Sequence, residues 1–199
     1  GVNELLYDWE FGKASLYNDD RILSAPGPYS LLFNGVNSEV QITDSDLDYT
    51  PDDDDRSWSI WFKGGGNALN HLFVHGETVA SVAIYVTSAG VLYFNDLDGS
   101  YVSSGATLDL DQWNNVTVTI DKSGGVGDGV QKVYVNGVLV VTDAFVTTGA
   151  ATGQLTIGAT AFSGHKLKGN ADWFTYWTKL LSGDEVEELY NNGKLFNLE

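Results

Sequence analysis

A chain of 199 residues fits one domain and can bury roughly 70% of its unfolded surface, enough for a sizeable core. Ten Lys and Arg against 27 Asp and Glu leave a net charge of −17, which repels phosphate backbones and anionic lipid heads and speaks against a nucleic-acid partner. There is no cysteine, so disulfides and thiolate metal sites are excluded, and no apolar run of about 18 residues predicts membrane insertion. No basic-then-apolar leader is visible either. A start at Gly1 and the absence of Met are those expected of a processed product or of a domain cut from a longer polypeptide.

In chain order the apolar residues recur with a period of two almost everywhere. Strands are predicted over 30–42, 58–63, 71–74, 82–86, 91–94, 116–120, 130–135, 138–141, 155–157 and 173–177, separated by Gly, Asn and Asp clusters. Asn136-Gly137, between Lys132-Val133-Tyr134-Val135 and Val138-Leu139-Val140-Val141, predicts a tight hairpin turn rather than a site. Only 182–191 has a helical pattern. Ser182 is its expected cap, Glu185 the capping-box partner, Val186, Leu189 and Tyr190 its apolar face, and Gly193 its stop. Many short strands and one terminal helix predict an all-β antiparallel sandwich, residues 1–199 forming a single domain without an internal repeat.

The motifs, taken together, resemble a known family. Leu32-Phe33-Asn34-Gly35-Val36, Trp58-Ser59-Ile60-Trp61-Phe62-Lys63, Trp113-Asn114-Asn115-Val116, Tyr134-Val135-Asn136-Gly137, Leu155-Thr156-Ile157-Gly158 and the closing helix from Leu181 to Tyr190 follow one another as in laminin-G-like domains of the concanavalin A-like lectin and glucanase superfamily. The resemblance runs from about Tyr29 to Gly193 and implies a jelly roll of two antiparallel sheets. The chain departs from the family pattern with Asn34 for Asp, Asn115 for His and Ala171-Asp172 for Ile-Asp. Such folds host binding modules, hydrolases and structural domains alike, so function must come from the site.

Glucanases of this superfamily carry carboxylates at alternate positions of one strand, and no Glu-x-Asp-x-x-Glu stretch exists here. Asp8 with Glu10 lacks a third carboxylate, and Asp184 to Glu188 lies on the helix, where a solvated face is the simpler reading. His71 and His75, four apart on an alternating strand, would share a side but stand about 13 Å apart, too far for one zinc ion. No catalytic residue is therefore assigned. Asp52 to Asp55 reads as a solvated loop, Asp96-Leu97-Asp98-Gly99 and Asp128-Gly129 as turns, and the sequon Asn115-Val116-Thr117 as part of a strand.

Two ligand chemistries stay open. Calcium, which relatives in the family often hold, needs six to eight oxygens, and Asp172 with the Asn18-Asp19-Asp20 loop is the candidate set, against the alternative of a tied-down turn and a solvated loop. Sugar rings stack on exposed aromatics. The family's alternation puts Phe174 and Tyr176 inward and Trp173 outward, making Trp173 one candidate platform. Tyr93 and Tyr101, flanking the Asp96 to Gly99 turn, are the others, although a packed core face is the simpler reading of Tyr85 and Tyr93. Trp58 and Trp113 read as structural. The resulting expectation is a non-catalytic module that binds glycan or a protein surface, extracellular or on a virion. A structural domain used in assembling a larger particle, such as a phage capsid or tail, is the alternative, and a glycoside hydrolase stands third.

Overall fold

The computed structural model describes residues 5–9, 30–43, 47, 55–76, 82–95, 101–122, 129–145, 154–160 and 165–190. Its strands are β1 (Leu5–Trp9), β2 (Leu31–Asn34), β3 (Val40–Thr43), β4 (Arg56–Gly64), β5 (Leu69–His75), β6 (Val82–Thr87), β7 (Val91–Asn95), β8 (Tyr101–Thr107), β9 (Asn114–Asp121), β10 (Gly129–Val135), β11 (Val138–Phe145), β12 (Gln154–Ile157) and β13 (Lys168–Trp177), followed by helix α1 (Gly183–Tyr190). One sheet has the order β1-β13-β4-β9-β10-β11, with β2 as a seventh strand also pairing β13; the other has the order β3-β12-β5-β6-β7-β8. All pairings are antiparallel. The sandwich predicted from periodicity is what forms.

The core lies between the two sheets. Trp58, Ile60 and Phe62 of β4, Val116, Val118 and Ile120 of β9, and Phe174 and Tyr176 of β13 face Phe73, Ile84, Val86, Leu92, Phe94, Leu155 and Ile157 of the second sheet, all buried. Phe73 meets Phe174 edge to face at 5.3 Å. Period-two alternation is what delivers one side chain in two to this layer. Two polar side chains enter it with their bonds satisfied. Trp58 Nε1–H donates to His75 Nδ1 at 2.9 Å, which leaves the proton of a neutral imidazole on Nε2, from where it reaches the Leu47 carbonyl at 2.8 Å.

Two turns explain residues that the family pattern singles out. The expected single strand over 30–42 is broken because Asn34 Oδ1 accepts the N–H groups of Val36, Asn37 and Ser38, closing a turn between β2 and β3 that a short amide or carboxylate can make. The Asn136-Gly137 turn has φ of 50° and 77°, as a two-residue hairpin requires, and Asn136 Oδ1 accepts the Asn115 N–H at 2.8 Å. β8 was not among the predicted strands: Ser103-Ser104-Gly105-Ala106 has weak strand propensity, yet it forms the edge of the second sheet beside β7.

α1 covers the outer face of the seven-stranded sheet. Ser182 Oγ accepts the Glu185 N–H while a Glu185 carboxylate oxygen accepts the Ser182 N–H, so the predicted capping box is formed. Val186 and Leu189 pack on Tyr134, Leu181 and Trp177, and Tyr190 stacks on Trp61 with ring centres 5.5 Å apart. One outer face is thus occupied by the chain's own helix. The other, on β5 to β8, carries the candidate site.

Candidate functional site

Alternation places Tyr85 of β6 and Tyr93 of β7 on the side away from the core, because Ile84, Val86, Leu92 and Phe94 take the inner positions. The register then sets Tyr85 opposite both His71 and Tyr93. The simpler expectation of a packed core face is corrected for Tyr93, which is half-buried on the outer side; Tyr85 lies on the same side but is packed, 9% exposed. They stack with centroids 4.8 Å apart and ring planes within 3°. Tyr101 of β8 meets Tyr85 edge-on at 4.7 Å and is 40% exposed, the face's most accessible aromatic.

His71 belongs to the same cluster, contrary to the expectation that it shares a side with His75. A β-bulge between His71 and Phe73 inserts one residue into the alternation, so His75 turns into the core while His71 turns outward. Its ring lies 5.3 Å from Tyr85, 5.8 Å from Tyr101 and stacked 5.5 Å from His165. His71 Nε2 and Tyr101 Oη are 3.2 Å apart, the donor being set by the imidazole tautomer. Nδ1 is buried and meets no hydrogen-bond partner among the described residues.

The strands of this face carry no Asp, Glu, Lys or Arg. Desolvation by burial, with a smaller contribution from His165, lowers the His71 pKa to about 3, so the ring is uncharged at neutral pH. Burial likewise raises the Tyr85 and Tyr101 phenols, which therefore stay protonated donors. The face offers flat ring edges and faces and the phenol groups of Tyr85, Tyr93 and Tyr101, while His71 Nδ1 is buried. These groups can stack on a ligand and exchange hydrogen bonds with hydroxyls. They cannot supply an acid and base carboxylate pair for glycoside hydrolysis, because none of the strands β5 to β8 contains Asp or Glu.

The other predicted site residues lie elsewhere. Trp173 is on β13 in the opposite sheet, at a bulge between Asp172 and Thr175, and is half-buried. It has a left-handed φ of 41°, and its Nε1 is buried without a hydrogen-bond partner among the described residues. Trp173 is therefore not brought together with Tyr93 and Tyr101. Asp172 is fully buried beside it and accepts the Trp173 N–H at 2.8 Å. Asn18, Asp19 and Asp20 lie outside the described residues. Among the described residues no group of three His, Cys, Asp or Glu converges as a metal site, so those residues alone do not furnish the oxygen shell of calcium.

Sequence reasoning missed His71 and His165. His71 sits in a run whose alternation names the wrong side, and only the bulge corrects it. No local signal marks His165, whose place depends on the return of the chain from β12 to β13.

This geometry, an antiparallel jelly-roll sandwich with one outer face covered and one aromatic, defines a lectin-like domain. A family model described as the concanavalin A-like lectin/glucanases superfamily matches residues 34–187, and the chain belongs to that superfamily in its laminin-G-like form. No curated protein sequence matches. Among solved structures the chain is similar to domain 4 of a GH43 extracellular arabinanase from Geobacillus stearothermophilus in complex with arabinotriose (19% identity, TM-score 0.60, covering 81% of this chain and 76% of that one). It is also similar to the CBM40 of a Ruminococcus gnavus sialidase bound to α2,3-sialyllactose (19% identity, TM-score 0.57, covering 81% and 98%). A third is the binding domain of botulinum neurotoxin DC in complex with rat synaptotagmin II (17% identity, TM-score 0.59, covering 83% of this chain but 45% of that one). At these identities the likeness is one of fold.

Proposed function

We propose that the protein is a non-catalytic recognition module that binds glycan on the outer face of β5 to β8, through Tyr93 and Tyr101 with His71 behind them. The observation that carries this reading is the cluster itself: Tyr85 holds Tyr93 and Tyr101 in ring contact on one outer face, with Tyr101 40% exposed. Bound arabinotriose and sialyllactose in two structures of the same fold support a glycan as the ligand class, and the arabinanase's extracellular description supports an extracellular setting. A protein surface is the second reading. Leu32, Val36 and Val138, 72%, 75% and 65% exposed, and the synaptotagmin complex of one relative favour it. Assembly on a virion has no support beyond those exposed side chains.

The test is an oligosaccharide array followed by isothermal titration. Ring-on-aromatic stacking is worth about 1 to 3 kcal/mol, so Tyr101→Ala and Tyr93→Ala should each weaken a bound oligosaccharide several-fold to about a hundred-fold with little change in melting temperature. Undiminished binding in both variants would move the site off this face.

A further inference from the structure

Charge divides the two sheets unevenly. The seven-stranded sheet carries Asp8, Arg56, Lys63, Asp121, Lys132, Asp143, Lys168 and Asp172 on its strands. The six strands of the other sheet, VQIT, LNHLFVH, VAIYVT, VLYFN, YVSSGAT and QLTI, contain no Asp, Glu, Lys or Arg. In a chain with a net charge of −17 this segregation bears on what the aromatic face can hold.

A sugar acid brings a carboxylate that must be desolvated on binding, and a site that accepts one supplies a cation or a fork of donors. Among the described residues, the strands of this face carry no Lys or Arg to supply it, and its imidazoles are His71 and His165. His71 is held neutral by its burial. Arg56, the one arginine among the described residues, belongs to the other sheet, where its Nε–H donates to Tyr176 Oη and its Nη1 to the Asp55 carbonyl, at 2.8 Å each. Lys166, next to His165, is ion-paired with Glu39. The long-range field is repulsive as well. A neutral oligosaccharide meets neither obstacle, because it needs only the phenols for its hydroxyls and the ring faces for its apolar side.

We infer that the face formed by His71, Tyr85, Tyr93, Tyr101 and His165 selects neutral oligosaccharides and rejects sialylated and uronic-acid-bearing ones. The inference rests on the glycan-binding reading above and deepens it by naming the substrate class.

Matched pairs test it on the intact chain: lactose against α2,3-sialyllactose, and xylo-oligosaccharides without and with a glucuronic acid branch, each titrated into the wild type, Tyr101→Ala and Ser103→Arg. Ser103 is exposed and opposite Tyr93 in the register, so the arginine would enter the face without disturbing the core. For a bound pair, the neutral member should be favoured about ten-fold or more at low salt. The gap should narrow as ionic strength rises from about 0.01 M to about 1 M, where screening shortens from about 30 Å to about 3 Å. Tyr101→Ala should weaken the neutral ligand, and Ser103→Arg should narrow the gap at least about three-fold.

Equal or tighter binding of the acidic member, still lost in Tyr101→Ala, overturns the inference and leaves the glycan reading intact. A gap unchanged in Ser103→Arg overturns charge as its cause. Binding of no glycan across the array overturns the glycan reading and the inference with it.

Discussion

Trp173 combines three features that can be separated by three substitutions. Its backbone is left-handed, with φ of 41°, in a residue other than glycine; its indole is half-buried; and its Nε1–H is buried without a partner among the described residues. Removing a fully buried Trp side chain costs about 3 to 5 kcal/mol, so a half-buried one should cost Trp173→Ala about 2 kcal/mol. Trp173→Gly loses the same indole but releases about 1 to 2 kcal/mol of left-handed strain, against about 0.5 to 1 kcal/mol of added chain entropy. It should therefore be the more stable of the two by about 0.5 to 1 kcal/mol, the reverse of the usual order in a strand. Trp173→Phe keeps most of the apolar contact and removes a buried N–H whose desolvation costs about 1 to 3 kcal/mol, so it should match or exceed the wild type. Urea unfolding followed by circular dichroism, with m unchanged, reads all three. Alanine proving more stable than glycine would sink the backbone argument, and a loss of more than about 1 kcal/mol in Trp173→Phe would mean that the indole N–H is paired. Glycan affinity should be unmoved in every variant, since Trp173 and the tyrosine face lie on opposite sheets.

Two further predictions concern His75 and the calcium set. Burial, partly offset by the Leu47 carbonyl and reinforced by Arg56, lowers the His75 pKa to about 4, so between pH 6.5 and 4 the unfolded chain binds the extra proton. Stability is then complete above 6.5 and lost as pH falls towards 4, by on the order of 3 kcal/mol. His75→Gln should remove about half of that slope in the part of the window above pH 5, His71 with its pKa of about 3 supplying the rest, and an unchanged slope would assign acid sensitivity to other groups. If Asp172 with Asn18, Asp19 and Asp20 binds calcium, as proposed from the family resemblance, calcium should raise the melting temperature more than magnesium does, and Asp172→Asn should abolish the difference. Equal shifts from calcium, magnesium and sodium would reduce the effect to screening of the −17 charge.

The fold was legible because its signals are local. Asn136-Gly137 demands a particular turn, Ser182 and Glu185 announce a helix start, and alternating runs set which residues of β9 and β13 reach the core. A side chain's volume can also fix a glycine that propensity leaves unexplained. At Gly158, φ is 78° and an added Cβ would meet the Phe33 ring at 2.2 Å, which ties two family motifs distant in sequence to one contact.

The site was legible only in part, and the reason is register. Tyr93 and Tyr101 could be named as ligand candidates because they flank one turn, but their common face is defined by Tyr85 between them and by the pairing of β6, β7 and β8. β8 was invisible as a strand. His71 shows the limit most directly. One inserted residue before Phe73 reverses every later side chain of β5, so a pattern read at a strict period of two assigns His71 and His75 to one side when one faces solvent-side aromatics and the other hydrogen-bonds Trp58. That reversal has a chemical consequence. Without the bulge, His71 and His75 would share a face; with it, one neutral histidine satisfies a core indole and the other joins the tyrosines, its Nε2 3.2 Å from Tyr101 Oη.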